Sequence, residues 1–472
     1  MTSVNVIARI DLVTDDERVS LVGEGRIAQK AMPSSVATLI NYCANLANSP
    51  ILILGQVVHI WSGTHYESSR MYDILEAALR RLDCPISLAV DPDFVRSVEK
   101  SLSVCVDRYG SEMTYTPRGI NFNDGMLFIS KDGMTFREGH SHDVVFTYCL
   151  PFNYKELNNV SAHWKKFIEQ IIPDEVLRRY TLASLINAIA GDPMNAQRML
   201  LLMGVAASGK STLIDAVVSV IGKRNACRVD DLRNLTKDES RYRIDLANHI
   251  LCICGDASGN LGNKDVLKQI VSKEEISGRR LYKEVEYFVP RASLIVASNE
   301  IGFTHALGDS GISRRIDIIQ FKNSVSEQDR DPFIGEKLAY PQEQMAMVFD
   351  MLEAMRVMQN EYGRMVRPDS LMTVLEDLRY DGDAFLSFIG SSGLEIATSE
   401  AECEYPEWIH QSKLYRAYTY FCTTNGNNTG SMRSLKGKCE THGVIRDSAG
   451  KRQHKMLFNV LSKEDYDKAF LI

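Results

Sequence analysis

The chain has 472 residues, 44% of them hydrophobic and 24% charged, which allows two to four domains with a large core and excludes a disordered chain. A formal net charge of −7 excludes a histone-like coat for duplex DNA, while a basic channel inside an acidic shell stays open because local charge sets phosphate contacts. Ten scattered cysteines without a C-x-x-C spacing speak against structural zinc, and no apolar run of membrane-spanning length or charged-then-apolar leader pattern is seen, so a reducing cytoplasm is the expected setting.

In chain order, Pro50–Trp61 (PILILGQVVHIW) reads as strand, turn and strand, and Met71–Leu82 (MYDILEAALRRL) as an amphipathic helix. Gly119–Phe128 reads as strands around an Asn-Asp-Gly turn. A helix is expected from Asp174 to about Ala190, stopped by Gly191, Asp192 and Pro193. From Arg198 to Phe321 apolar strands alternate with helical patterns, the mark of an α/β domain with a largely parallel sheet. Asn323–Gln344 is polar, holds Pro332 and Pro341, and reads as a connection; Met345–Leu378 reads as mostly helical. The last segment, from about Asp383, reads as three helices followed by two short strands.

The strongest signal lies after the strand Met199–Met203. Gly204-Val-Ala-Ala207-Ser208-Gly209-Lys210-Ser211-Thr212 fits G-x-x-x-x-G-K-[ST], and a helix follows. Glycines let the backbone curl so that amides and the helix N-terminus face phosphate oxygens. Lys210 is expected at the β- and γ-phosphates of ATP and Ser211 on Mg²⁺. Asp256 ends the apolar strand His249–Gly255 and is expected to hold the magnesium's water shell, to polarise the attacking water, or both; which group is the catalytic base stays open. Asn299 ends a third strand, Ala292–Ser298, where its amide suits the γ-phosphate or the attacking water. Arg314 and Arg315 precede a fourth strand, where an arginine offered to a neighbour's ATP would stabilise transition-state charge. Between the acid-ended and Asn-ended strands, Lys264, Lys268, Lys273, Arg279, Arg280 and Lys283 cluster, suited to phosphate contact, with Tyr282 available to stack on a base.

These pieces, in this order, resemble the superfamily 3 helicases, most closely the phage and plasmid primase–helicase type. The resemblance implies an AAA+ P-loop motor with a central parallel sheet, active as a hexameric homo-oligomer that translocates 3′→5′ on single-stranded DNA, in a bacterial cell or phage-infected host. It implies that Leu267–Pro290 forms a channel hairpin on which Lys268, Arg279 and Lys283 face the strand. Relatives carry Gly-Gly-Asp where this chain has Ser272-Lys273-Glu274. It points to Arg315, with Arg314 as the alternative, for the finger supplied in trans. The implied order is an α+β N-terminal domain (1–155), a helical collar (156–195), the motor (196–322), a helical connection (323–382) and a winged-helix domain (383–472). In that last domain Arg433, Lys436, Lys438, Arg446, Lys451, Arg452 and Lys455 suit duplex origin DNA, with Lys436, Lys451 and Arg452 as the chosen contacts. The stretch before the collar is short for a primase and lacks zinc-ligand spacing, so a stand-alone helicase without a membrane partner is expected. A second reading is an oligomeric ATPase that binds DNA as a regulator or defence protein without unwinding. A small-molecule kinase would leave the arginine pair and the basic segment without a role.

Overall fold

The structure is a computed structural model that describes residues 2–471 except 24–26, 28–30, 55–56, 69–70, 107–117, 238–239, 256–260, 280–284, 300–305, 308, 329, 383, 398, 425–430 and 448–454. It divides into two compact units, Met1–Gly302 with Arg314–Leu371, and Phe303–Ser313 with Met372–Ile472.

The first unit opens with helices α1 (Thr2–Asp11), α2 (Asp15–Val22) and α3 (Met32–Leu46). Strands β1 (Ile51–Leu54), β2 (Val57–Trp61) and β3 (Tyr66–Ser68) follow, then α4 (Met71–Arg81) and α5 (Pro92–Cys105). The strands form an antiparallel sheet in the order β1-β2-β3. A reciprocal cap starts α2: Thr14 Oγ1 accepts from the Glu17 amide, and the Glu17 carboxylate accepts from the Thr14 amide. Helical spacing places Ile74, Leu75, Ala78 and Leu79 on the buried face of α4, in one core with Ile10, Leu39, Ile40, Ile60 and Val98.

An antiparallel meander comes next: β4 (Gly119–Phe122), β5 (Gly125–Ser130) and β6 (Gly133–Glu138). Its Ile120, Phe122 and Leu127 belong to a second core, shared with α6 (Trp164–Ile171), α7 (Glu175–Ile189) and the large sheet. The change of core therefore falls between α5 and β4, and the meander packs with the large-sheet region. Asp174 caps α7 by accepting from the Leu177 amide, and Asp192 ends it by accepting from Asn187 Nδ2 and the Ala196 and Gln197 amides.

The large sheet comprises β7 (Met199–Gly204), β8 (Ala226–Val229), β9 (Leu251–Cys254), β12 (Ser293–Ser298) and β13 (Ile316–Phe321), five parallel strands in the order β13-β7-β12-β9-β8. Its inner strands β7, β9 and β12 read as near-continuous apolar runs because both their faces are covered, whereas β13 carries the buried Asp317 and edge strand β8 exposes Arg228. Helix α8 (Lys210–Ile221) follows β7. Between β9 and β12 the chain inserts helix α9 (Lys264–Val271) and an antiparallel hairpin, β10 (Ile276–Gly278) with β11 (Glu286–Phe288). Helix α10 (Pro341–Val357) packs along α7. The connection expected over 323–344 is thus shorter, because Pro341 opens a helix at its first turn, where a missing N–H costs nothing. Glu343 on α10 is buried and its carboxylate accepts from the amides of Ala162, His163 and Trp164 at the start of α6.

Helix α11 (Asp369–Gly382) starts in the first unit, and most of it belongs to the second. The second unit continues with α12 (Ala384–Ser391), β14 (Leu394–Ile396), β15 (Pro406–His410), α13 (Gln411–Thr424), α14 (Met432–Thr441), β16 (Lys455–Val460) and α15 (Lys463–Phe470). Its sheet is antiparallel in the order β14-β16-β15, over a core of Phe385, Phe388, Leu414, Tyr418 and Phe458. The expected order of helices followed by strands is corrected here. β14 and β15 intervene early, being too short for alternation to register in the sequence, and a helix closes the unit. Among the described residues no helix is long and apolar enough to cross a membrane.

Candidate functional site

The C-terminal ends of the parallel strands meet the start of α8 in a cleft of about 840 Å³, lined by Ala206–Thr212, Asp215, Arg228, Cys254, Gly255, Asn299 and Arg330 among others. The loop can exist only with its glycines. A Cβ at Gly204 would stand 2.2 Å from the Phe321 carbonyl oxygen on neighbouring β13. Gly209 has a φ of +89° and would strike Ile171 Cγ2 at 2.5 Å. Ala207 takes a left-handed φ of +59°, a costly conformation kept at the crest of the loop. The first amides of α8 have no intrahelical partner and carry the positive end of its dipole.

Lys210 is folded back onto this loop. Its Nζ donates to Gly204 O at 2.6 Å, Val205 O at 2.8 Å, Ser208 Oγ at 3.2 Å and Asn299 Oδ1 at 3.2 Å. Burial pushes its pKa down, since those acceptors are neutral and leave the charge unpaired. Asn299 and the phosphate loop, separate in sequence, are thereby brought into contact by adjacent β12 and β7. Ser211 and Thr212 line the same cleft, as do Cys254 and Gly255 at the end of β9. Asp256, the next residue, lies outside the described residues.

Two further cations in the cleft were missed by sequence reading. Arg228, on β8, pairs with Asp215 at 2.6 Å. Arg330 lies on the stretch that follows β13, whose Val325 amide donates to Ala207 O at 3.0 Å. That segment has no periodicity and no motif, so only its return over the loop reveals Arg330.

The arginine pair splits. Arg315 is buried at 8% exposure, with Nε donating to Ser272 Oγ at 2.8 Å, whereas Arg314 is exposed. Of the two, Arg314 is the one whose side chain faces solvent.

The basic segment also splits. Lys268 sits 3.3 Å from Asp265 on α9, and Arg279 is exposed just beyond β10. Arg280, Tyr282 and Lys283 lie outside the described residues. On β11, Tyr287 is 70% exposed. Lys273 departs from the expected phosphate-facing cluster: its ammonium group is enclosed and donates to Arg291 O at 2.8 Å and Ala292 O at 2.6 Å. Burial lowers its pKa to about 8.

In the second unit, Lys436 lies 3.6 Å from Glu440, and Lys438 donates to Tyr418 Oη at 3.2 Å. Residues 445–447 pair with 455–457, while Lys451 and Arg452 in the intervening stretch lie outside the described residues.

Comparison with known proteins gives partial matches. Residues 202–315 match a family described as a family of unknown function (DUF5906). Over 245 residues, 50% of this chain, the sequence is 26% identical to the protein named "Putative helicase L207/L206" of Acanthamoeba polyphaga mimivirus. That alignment takes in only 23% of the viral protein, so the chain spans under a quarter of its relative. Among solved structures, apo forms of the NrS-1 C-terminal region align with TM-scores of 0.40 and 0.41 at 13% and 12% identity, covering 75% of this chain and 98% of theirs. The fold is a mixed α/β one with a P-loop-like parallel-sheet domain, and the viral relative is named as a "Putative helicase".

Proposed function

We propose that the protein is an ATP-driven DNA helicase, an AAA+ motor of the superfamily 3 kind that assembles as a ring, most simply a hexamer, and moves on single-stranded DNA. The carrying observation is the insertion of an Arg279-bearing hairpin between β9 and β12, the strands that end in the Lys210 cleft. A cationic finger so placed can respond to the nucleotide and grip a polynucleotide phosphate.

The donor set suits a magnesium–nucleoside triphosphate. The curled amides and Lys210 suit the phosphates, and the Ser211 hydroxyl offers one hard oxygen, which is how Mg²⁺ is held when the phosphates supply other ligands. Mg²⁺ would supply charge neutralisation on the β- and γ-oxygens. Lys210 exchanges its carbonyl acceptors for phosphate oxygens, and Asn299 is released to orient the γ-phosphate or water. Arg314 is offered to the neighbouring subunit's site in place of buried Arg315. Asp256 remains the proposed acid. Lys268, Arg279 and Lys283 are the proposed strand contacts, and the second unit is read as a winged helix that holds duplex DNA through Lys436, Lys451 and Arg452.

A forked duplex with radiolabelled strands tests this. Strand release with hydrolysable ATP, lost in Lys210→Ala, supports the helicase. Nucleotide hydrolysis and DNA binding without release support the non-unwinding ATPase instead. No hydrolysis of any nucleotide ends both readings.

A further inference from the structure

The turn between α9 and β10 is Ser272-Lys273-Glu274, and Lys273 stands there at φ +57°, a left-handed conformation that suits glycine better than lysine. Its side chain explains what holds it there. Besides the Arg291 and Ala292 carbonyls, Nζ reaches Ser293 Oγ at 3.3 Å, so the ammonium grips the head of β12. The preceding residue, Ser272, accepts from Arg315 Nε at the head of β13. The base of the hairpin is thereby fastened to the starts of the two strands that flank β7.

The other end of β12 carries Asn299, in contact with Lys210. Between these ends β12 is paired on both sides, Ile295 to Ser298 with Leu200 to Met203 on β7, and Ser293 to Val296 with Leu251 to Cys254 on β9. A strand so held cannot stretch, so a displacement at one end is felt at the other. We propose that Lys273 is a positioning residue that ties the basic hairpin to β12, so that a nucleotide-driven shift at Asn299 reaches Arg279. This rests on the reading of the Gly204–Ser211 cleft as a nucleotide site. A lysine whose ammonium stays bound to the two carbonyls transmits displacement in both directions, and a glycine would leave the turn intact and held to β13 through Ser272 but unfastened from β12.

Lys273→Gly decides the matter, since glycine accepts the +57° backbone without strain. The measurements are nucleotide affinity, basal hydrolysis, stimulation by saturating oligothymidylate, and hydrogen–deuterium exchange of residues 286–288 with and without a non-hydrolysable ATP analogue. The expected result is unchanged affinity and basal hydrolysis, with stimulation reduced by about tenfold or more, the usual size of a coupling between sites. The nucleotide-dependent exchange change in 286–288 should vanish as well, and Lys273→Arg should retain both effects. Equal stimulation in Lys273→Gly and the parent protein overturns the tether and leaves the helicase reading standing. A parent protein that binds nucleotide but is not stimulated by any strand sinks the helicase reading, and the exchange measurement then decides the tether alone. A nucleotide-dependent exchange change that persists in Lys273→Gly overturns it.

Discussion

Lys210 Nζ and Asn299 Oδ1 stand 3.2 Å apart, so the first residue of α8 and the residue that follows β12 share one hydrogen bond. A bound triphosphate competes for that ammonium and frees the amide. Asn299→Ala should therefore lower kcat for hydrolysis on the order of 100-fold while changing KM little, as loss of one preorganised polar contact in a transition state does. Steady-state hydrolysis checks this; unaltered kcat would make Asn299 a strand-end turn residue.

Arg330 lines the same cleft from the segment that Val325 fastens to Ala207. A guanidinium there is available to a phosphate oxygen in its own subunit. Arg330→Ala is expected to weaken ATP binding about tenfold, the usual worth of a charge-assisted hydrogen bond, with unchanged thermal stability. Fluorescent-nucleotide titration measures it, and an unchanged affinity would return Arg330 to the surface.

The two neighbouring arginines should part company in mutation. Arg314→Ala should keep the fold and lose on the order of 1000-fold in kcat if it completes a neighbour's site. Mixing it with Lys210→Ala should restore activity, since one interface in the mixed ring then has both groups. Arg315→Ala should instead destabilise the protein by about 2 kcal/mol, because a buried donor to Ser272 and its packing are lost. Urea unfolding separates the two outcomes.

Lys273 also predicts a pH dependence. Its pKa is lowered from 10.5 to about 8 by burial of the ammonium, with Asp192 and Cys252 raising it and Arg291 lowering it. Between those values the unfolded chain holds the proton and the folded chain does not, so stability rises with pH. This contribution is complete above the unfolded value and lost as pH falls through the folded one. The stability of the parent protein relative to Lys273→Met should thus increase from about pH 7.5 to about pH 9.5 in urea titrations. A pH-independent difference would mean that the amine titrates alike in both states.

Much of the parallel-sheet region was legible because its signals are local. Met199–Met203, the Gly204–Ser211 spacing and the cap at Asp174 all act within a few residues, and each lies where the sequence places it. The N-terminal strands and helix at 51–61 and 71–81 were readable for the same reason. Pro341 misled because a proline marks a helix start as readily as a break. The strands at 394–396 and 406–410 were hidden by their length.

The amino-acid order alone determined that a loop of the P-loop pattern follows a buried strand, because the glycines, lysine and hydroxyls that make it lie close together in the chain. What only the tertiary structure decided is which distant side chains share that cleft and which charges are buried. Arg330 enters it, Arg315 withdraws from the surface, and Lys273 turns inward to two carbonyls. The reason is physical: charge in a sequence has no direction, and burial is set by whichever strands the fold lays side by side.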